Sequence, residues 1–307
     1  MGVMKDILYG CAIGDALGVP YEFKTRGSFF CTDMTGYGTH SQPKGTWSDD
    51  TSMTLCLADS MVKDFSLEKL ASNFLDWYEN AAFTANGSLF DIGNATASAL
   101  RKIRNGVNCT EAGGNDEWSN GNGSLMRIAP LVLLTKNMPI EKRFLICRQV
   151  SSITHRHQIS IAACFIYLEL LRSLLSGDSL QKALSAAVDT KNILPTFGIE
   201  NSVVSKFDIL NKNLKEYSES NISSSGYVID TLVSSIWCVS NTSTYRSAVL
   251  KAVNLGDDTD TTGAVTGVIA GIVYGYENIP KNWIYSLLNK QLIESIIKKF
   301  DECDGYK

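Results

Sequence analysis

Proline and histidine are scarce in this chain, with 6 Pro and 3 His among 307 residues. So few prolines leave long stretches free to run as helices. No Cys-x-x-Cys pair occurs among the 8 Cys, and no Cys-rich cluster accompanies the His, which argues against a zinc site. No run of 18 uninterrupted apolar residues is present, which argues against a transmembrane span. The N-terminal MGVMKDILYGCAIGDALG has no basic leader region and no long apolar segment, so it does not read as a signal peptide. Excess positive charge is also missing. At a formal net charge of −4 there is no field to hold nucleic acid or an anionic membrane, so an anionic ligand has to be captured locally. The Cys are scattered, several within apolar helical patterns, and read as reduced thiols of a cytoplasmic protein.

What is present fits one globular domain over 1–307, with 44% apolar and 20% charged residues. Helical spacing predicts helices over 5–17, 50–64, 67–80, 89–104, 125–135, 140–153, 158–176, 179–188, 227–239, 244–253, 260–275 and 283–300. In SLEKLASNFLDWY the apolar residues follow a 3.6 period behind Ser66, a candidate N-cap. Gly106 suits a helix stop. Convincing strand patterns are few, so the expected fold class is all-α, a compact multi-helix bundle. Residues 24–47, rich in Gly and running into an acidic motif, read as an active-site loop. Residues 190–226 read as a surface excursion.

Two acidic stretches stand out. NLGDDTDTTGAV places Asp257, Asp258 and Asp260 within four residues, followed by Thr261. GTWSDDTSM places Asp49 and Asp50 after Ser48, at the start of a predicted helix. Carboxylate and hydroxyl oxygens are hard ligands, suited to Mg²⁺, Mn²⁺ or Ca²⁺. Helix capping without metal is the plainer alternative for either stretch alone. Their recurrence in one chain favours a shared cation. Three further stretches carry possible chemistry. In GDALGVPYEF, Asp15 lies in a helical pattern, while Glu22 follows a Gly/Pro break and could reach a cavity. In SNGNGSLMRIAPL, Gly alternates with Asn before a helix, an arrangement open to phosphate. Arg127 there could meet a phosphate or pair with an acid, and Trp118 upstream could stack on a base or sit in the core. In SSITHRHQIS, His155 and His157 are two apart. A single His bonding a ribose or a helix end fits better than a metal ligand.

Taken in order, these five stretches resemble the ADP-ribosylglycohydrolase family, the group containing the dinitrogenase-reductase-activating glycohydrolase, over nearly the whole chain. The resemblance implies an all-α fold with a central binuclear cleft holding two Mg²⁺, with Mn²⁺ able to substitute. It implies Ser48, Asp49, Asp50, Asp258, Asp260 and Thr261 as metal ligands, and Glu22, Asp49 and Asp258 as the catalytic carboxylates. Asn122, Gly123, Ser124 and Met126 match the loop that holds diphosphate and ribose, His155 lines the ADP-ribose pocket, and Trp118 is the nearby stacking candidate. Ser48 stands where many relatives have Thr, and Asp257 where relatives vary. The implied activity is Mg²⁺-dependent release of ADP-ribose from a modified protein side chain, arginine first, with serine or a small molecule as other linkages. A binding protein that shields a target from an ADP-ribosylating toxin by contact is the reading of a different class.

Overall fold

The computed structural model describes residues 2–303, so the domain expected over 1–307 extends past the described residues at both ends. It is built from helices α1 (Val3–Gly18), α2 (Asp49–Ser60), α3 (Leu67–Asn80), α4 (Asn94–Arg104), α5 (Leu131–Thr135), α6 (Ile140–Ser152) and α7 (Gln158–Leu175). The second half adds α8 (Leu180–Ile193), α9 (Asn201–Val204), α10 (Val228–Ser240), α11 (Tyr245–Val253), α12 (Thr259–Tyr274), α13 (Lys281–Ser286) and α14 (Lys290–Asp301). Among the described residues there is no strand, only isolated bridges such as Gly121 with Tyr227. The all-α expectation is met.

The bundle is organised around α1 and α12, whose backbones touch. A Cβ on Gly14 would stand 2.0 Å from the Gly263 carbonyl oxygen, and one on Gly10 would stand 2.4 Å from that of Gly267. A Cβ on Gly18 would meet the Asp260 Cα at 2.3 Å. Glycine at every fourth position on both helices lets them approach this closely, because no side chain separates them. The approach sets the C-terminus of α1, with Asp15 and the following Glu22, beside the acidic N-terminus of α12. Helices α2, α7, α10 and α11 pack around this pair. Helix α7 is long and apolar enough to cross a membrane by length and composition, with 18 residues and mean hydropathy 1.5, but 83% of it is buried inside the protein.

Local signals explain most boundaries. The Ser66 hydroxyl accepts from the Lys69 N–H and starts α3, while Gly106, at φ 89°, follows the end of α4. Four expectations need correction. Residues 125–130 form turns rather than helix, because Pro130 restricts the residue before it, and only Leu131–Thr135 is helical. The helix expected over 283–300 is split at 287–289, where the Leu288 N–H leaves the helix to bond the Gly45 carbonyl. The helices expected from 89 and to 64 are Asn94–Arg104 and Asp49–Ser60. The surface excursion over 190–226 is in part core: Val203, Phe207, Leu210, Leu214 and Ile222 are buried. From Val203 to Leu214 the spacing of three and four residues is an amphipathic pattern, after which the polar KEYSESN run intervenes before Ile222.

Candidate metal centre and cleft

Two helix N-termini meet at the site. Ser48 caps α2 by accepting from the Asp50 N–H at 3.3 Å, so the capping reading holds for this hydroxyl. Asp15 fixes the same turn from α1. Its carboxylate accepts from the Ser48 N–H, the Thr51 N–H and, at 2.6 Å, the Thr51 hydroxyl. Asp49 and Asp50 are thereby held in the buried first turn of α2, facing α12. Thr261 reaches across and donates to Asp50 Oδ2 at 3.2 Å, and the Ser48 hydroxyl donates to the same oxygen at 3.1 Å.

Asp258 precedes α12 but does not cap it, because its side chain makes no capping hydrogen bond. Instead its Oδ2 accepts from the Asn122 amide at 2.8 Å. Asp50 Oδ1, Asp258 Oδ1 and Asp260 Oδ2 are buried and have no hydrogen-bond partner. A buried carboxylate oxygen left unpaired is costly. With Glu22, Asp258 and Asp260 close enough for one oxygen of each to share an ion, the residues present form a hard-oxygen donor set that fits a divalent cation such as Mg²⁺. Asp257, with φ 59°, sits apart from them. Its N–H donates to the Lys24 carbonyl and its carbonyl accepts from the Phe23 N–H, so it shapes the turn.

Glu22 lies on the open side of these acids. One carboxylate oxygen from each of Glu22, Asp258 and Asp260 falls within 4.8 Å of the others, and so does one atom from each of Glu22, His40 and Asp91. Glu22 therefore belongs to both groups. His40 Nε2 is in hydrogen-bond contact with Glu22 Oε2, and the Thr39 hydroxyl donates to the Glu22 carbonyl at 2.7 Å. The loop 24–47 thus packs on Glu22 through Thr39 and His40. His40 and Asp91 were missed by the sequence reading. The only signal for Asp91 is an acid set among apolar Leu89, Phe90 and Ile92 just before Gly93, and for His40 its place in a Gly-rich loop.

The other wall is the SNGNGS loop. It pairs with residues 226–228, the Asn122 N–H donating to the Gly226 carbonyl at 3.0 Å and the Val228 N–H to the Asn120 carbonyl at 3.0 Å. The alternating glycines have a physical reason: a Cβ on Gly123 would stand 2.7 Å from the His155 ring. His155 is buried, its Nδ1 bonded to the Thr154 hydroxyl at 2.8 Å. Burial, and then the Arg127 charge, pull its pKa down to about 3, so the ring is neutral. Arg127 forms no ion pair with an acid among the described residues. It is fully buried, stacks 4.6 Å from the Phe74 ring centroid and donates to Thr154 Oγ1 and the Val150 carbonyl. Ser124 and Met126 also turn inward, Ser124 Oγ accepting from Ser151 at 3.0 Å. Trp118 is 93% exposed, so it is not a core residue.

Burial raises the acids. It is the first cause for Asp49, Asp50, Asp258 and Asp260, all raised, with neighbouring carboxylates adding in each case. Glu22 is pushed up to about 10 by burial and then by Asp91 and Asp258, and Asp15 to about 7 by burial. The folded chain thus keeps protons that the unfolded chain gives up above its ordinary carboxylate values of 3.8 and 4.5. Stability contributed by these groups falls as pH rises through that window. His155 has the opposite sign but acts only below its unfolded value of 6.5. Between about pH 6.5 and 8, below the thiol range, the carboxylates therefore decide the trend. The metal-free protein is expected to lose melting temperature across this interval. Mg²⁺ is expected to restore it, more so at the higher pH, because binding releases protons. Differential scanning fluorimetry with and without Mg²⁺ measures both, and a flat, cation-independent profile would defeat the metal-site reading.

Comparisons with known proteins bear on the whole chain. The ADP-ribosylglycohydrolase family model matches residues 4–306. An ADP-ribosylarginine hydrolase of Serratia proteamaculans is 36% identical over 96% of this chain and 78% of its own length. One from Pseudomonas putida is 34% identical over 96% and 76%. The ADP-ribosyl-[dinitrogen reductase] glycohydrolase of Rhodospirillum rubrum is 30% identical over 91% and 87%. A solved structure described as an ADP-ribosylglycohydrolase-related protein complex superposes with a TM-score of 0.79 at 30% identity, covering 97% of this chain and 96% of that one.

Proposed function

The chain belongs to the ADP-ribosylglycohydrolase family and is a glycohydrolase, and from that premise we propose that it releases ADP-ribose from arginine side chains of modified proteins in a Mg²⁺-dependent reaction. The observation that carries the reading is the acidic group where α2 and α12 meet: Glu22, Asp258 and Asp260 lie close enough to share an ion, and Asp50, Asp258 and Asp260 each carry a buried oxygen without a hydrogen-bond partner. The arginine linkage is supported by the two relatives named for it, each matched over 96% of this chain.

Ser48, Asp49, Asp50, Asp258, Asp260 and Thr261 would hold two Mg²⁺. Bound there, the ions would offset the acids' repulsion, grip the ribose hydroxyls and position a water. Hydrolysis breaks the bond from C1″ to the guanidine nitrogen, the electron pair leaving with nitrogen, while a water oxygen bonds to C1″. The leaving nitrogen needs a proton and the water must lose one. Glu22 is the group placed to move a proton on the open side of the centre. Neutral His155 can hydrogen-bond a ribose or phosphate oxygen through its free Nε2, and Asn122 keeps Asp258 aimed.

Incubating the protein and Mg²⁺ with separately prepared ADP-ribosyl-arginine and ADP-ribosyl-serine peptides tests the reading. Release of ADP-ribose from the arginine peptide first, and none after EDTA, is the expected result. Preference for the serine peptide would transfer the proposal to that linkage, and turnover in EDTA would remove the metal.

A further inference from the structure

The family reading explains the acids beneath Glu22. It leaves unexplained what lies above it. His40 is flanked by two aromatic rings, with Phe23 at 6.0 Å and Phe90 at 5.3 Å between centroids. Phe23 is 69% exposed, so its ring is open to a ligand arriving from solvent. Phe23 and Asp91 both hold positive φ, 63° and 53°, a conformation bulky residues avoid. Each therefore keeps its direction at some conformational cost. Asp91 brings a second carboxylate to the Glu22–His40 contact, with one atom from each of the three within 4.8 Å of the others.

Aromatic faces beside paired carboxylates make a poor site for a neutral hydroxyl and a good one for a planar cation. A guanidinium offers flat faces to rings and a fork of N–H donors to carboxylates. The position also fits the reaction. On the reading above ribose lies over Asp258 and Asp260, and because Glu22 is shared between that group and the His40–Asp91 group, the departing group then falls toward Asp91 and the rings. We propose that Phe23, Phe90 and Asp91 form a guanidinium subsite that selects the arginine linkage by binding the leaving group. The inference rests on the arginine reading above and adds the residues that impose it. Phe23 and Phe90 are specificity residues, and Asp91 orients the guanidinium.

The test uses the full chain with Mg²⁺ and two measurements. In the first, Phe23→Leu/Phe90→Leu is expected to raise KM for an ADP-ribosyl-arginine peptide about 5- to 30-fold, the scale of two cation–π contacts, with kcat changed far less. Product inhibition by ADP-ribose is expected to hold, and a thermal melt matching the wild type shows that the fold is intact. In the second, agmatine and its urea analogue N-carbamoylputrescine are titrated by calorimetry into wild-type protein holding ADP-ribose. Agmatine is expected to bind, its analogue much more weakly, and the double variant is expected to lose the difference. An unchanged KM, or equal binding of the two probes, would overturn the subsite while leaving arginine turnover standing. A wild type that leaves the arginine peptide intact would instead defeat the arginine reading. The agmatine titration reports on the subsite in either case.

Discussion

Replacing Asp258 and Asp260 together by Asn is expected to cut turnover at least about 10³-fold in Mg²⁺ and, at neutral pH, to raise the melting temperature of the metal-free protein. The loss follows from removing two ligands whose ions would supply several kcal/mol of transition-state stabilisation, at about 1.4 kcal/mol per tenfold. The gain follows from burial. Asp260 is buried and Asp258 half-buried, and the buried oxygens Asp258 Oδ1 and Asp260 Oδ2 have no partner. Both also have pKa values raised first by burial. Asn keeps the shape, retains an oxygen for the Asn122 amide and carries no charge to desolvate. Asn caps a helix about as well as Asp, so a pure cap would leave the metal-free stability nearly unchanged. A clear gain in metal-free stability thus separates a buried metal-binding carboxylate pair from a cap without any activity assay. Calorimetric titration with Mg²⁺ completes the test: wild-type affinity and turnover in the double variant would remove both Asp from the metal set.

The legible and illegible parts of this chain divide by range. Helix type was readable wherever a 3.6 period ran uninterrupted, as in α3 behind Ser66. It failed at 125–130 and 287–289, where a Pro or a backbone bond to a distant loop cut the period. The acid clusters at 48–50 and 258–261 were readable because several hard ligands lie on one short segment. His40 and Asp91 were not, because each is a lone polar residue that gains meaning only when separate loops close on Glu22. Asp15 looked like one polar residue on a helix, and only the fold shows it organising the α2 N-terminus. The glycines of α1 and α12 show their four-residue spacing in the sequence, but not that the two helices are partners. Arg127 misled for another reason: arginines are nearly always at least partly exposed, and this one is enclosed against Phe74.

Glu22→Gln is expected to slow hydrolysis of an ADP-ribosyl-arginine peptide about 10²–10⁴-fold, the usual scale for losing a general acid or base, while ADP-ribose affinity changes little. Burial and then Asp91 and Asp258 push the metal-free Glu22 carboxyl up to about 10, and bound cations would bring it back toward the neutral range, where it can give a proton to the departing nitrogen. The carboxamide matches its size and still meets His40, and the Thr39 bond is to the Glu22 backbone, so the loop should stay in place. A substrate whose leaving group needs no proton distinguishes the roles. With a p-nitrophenyl ADP-riboside, Glu22→Gln should lose far less than with the arginine peptide. An equal loss on both substrates would make Glu22 the base acting on water rather than the acid. Unchanged turnover on both would pass the proton transfer to Asp91, the other carboxylate in the Glu22–His40 group.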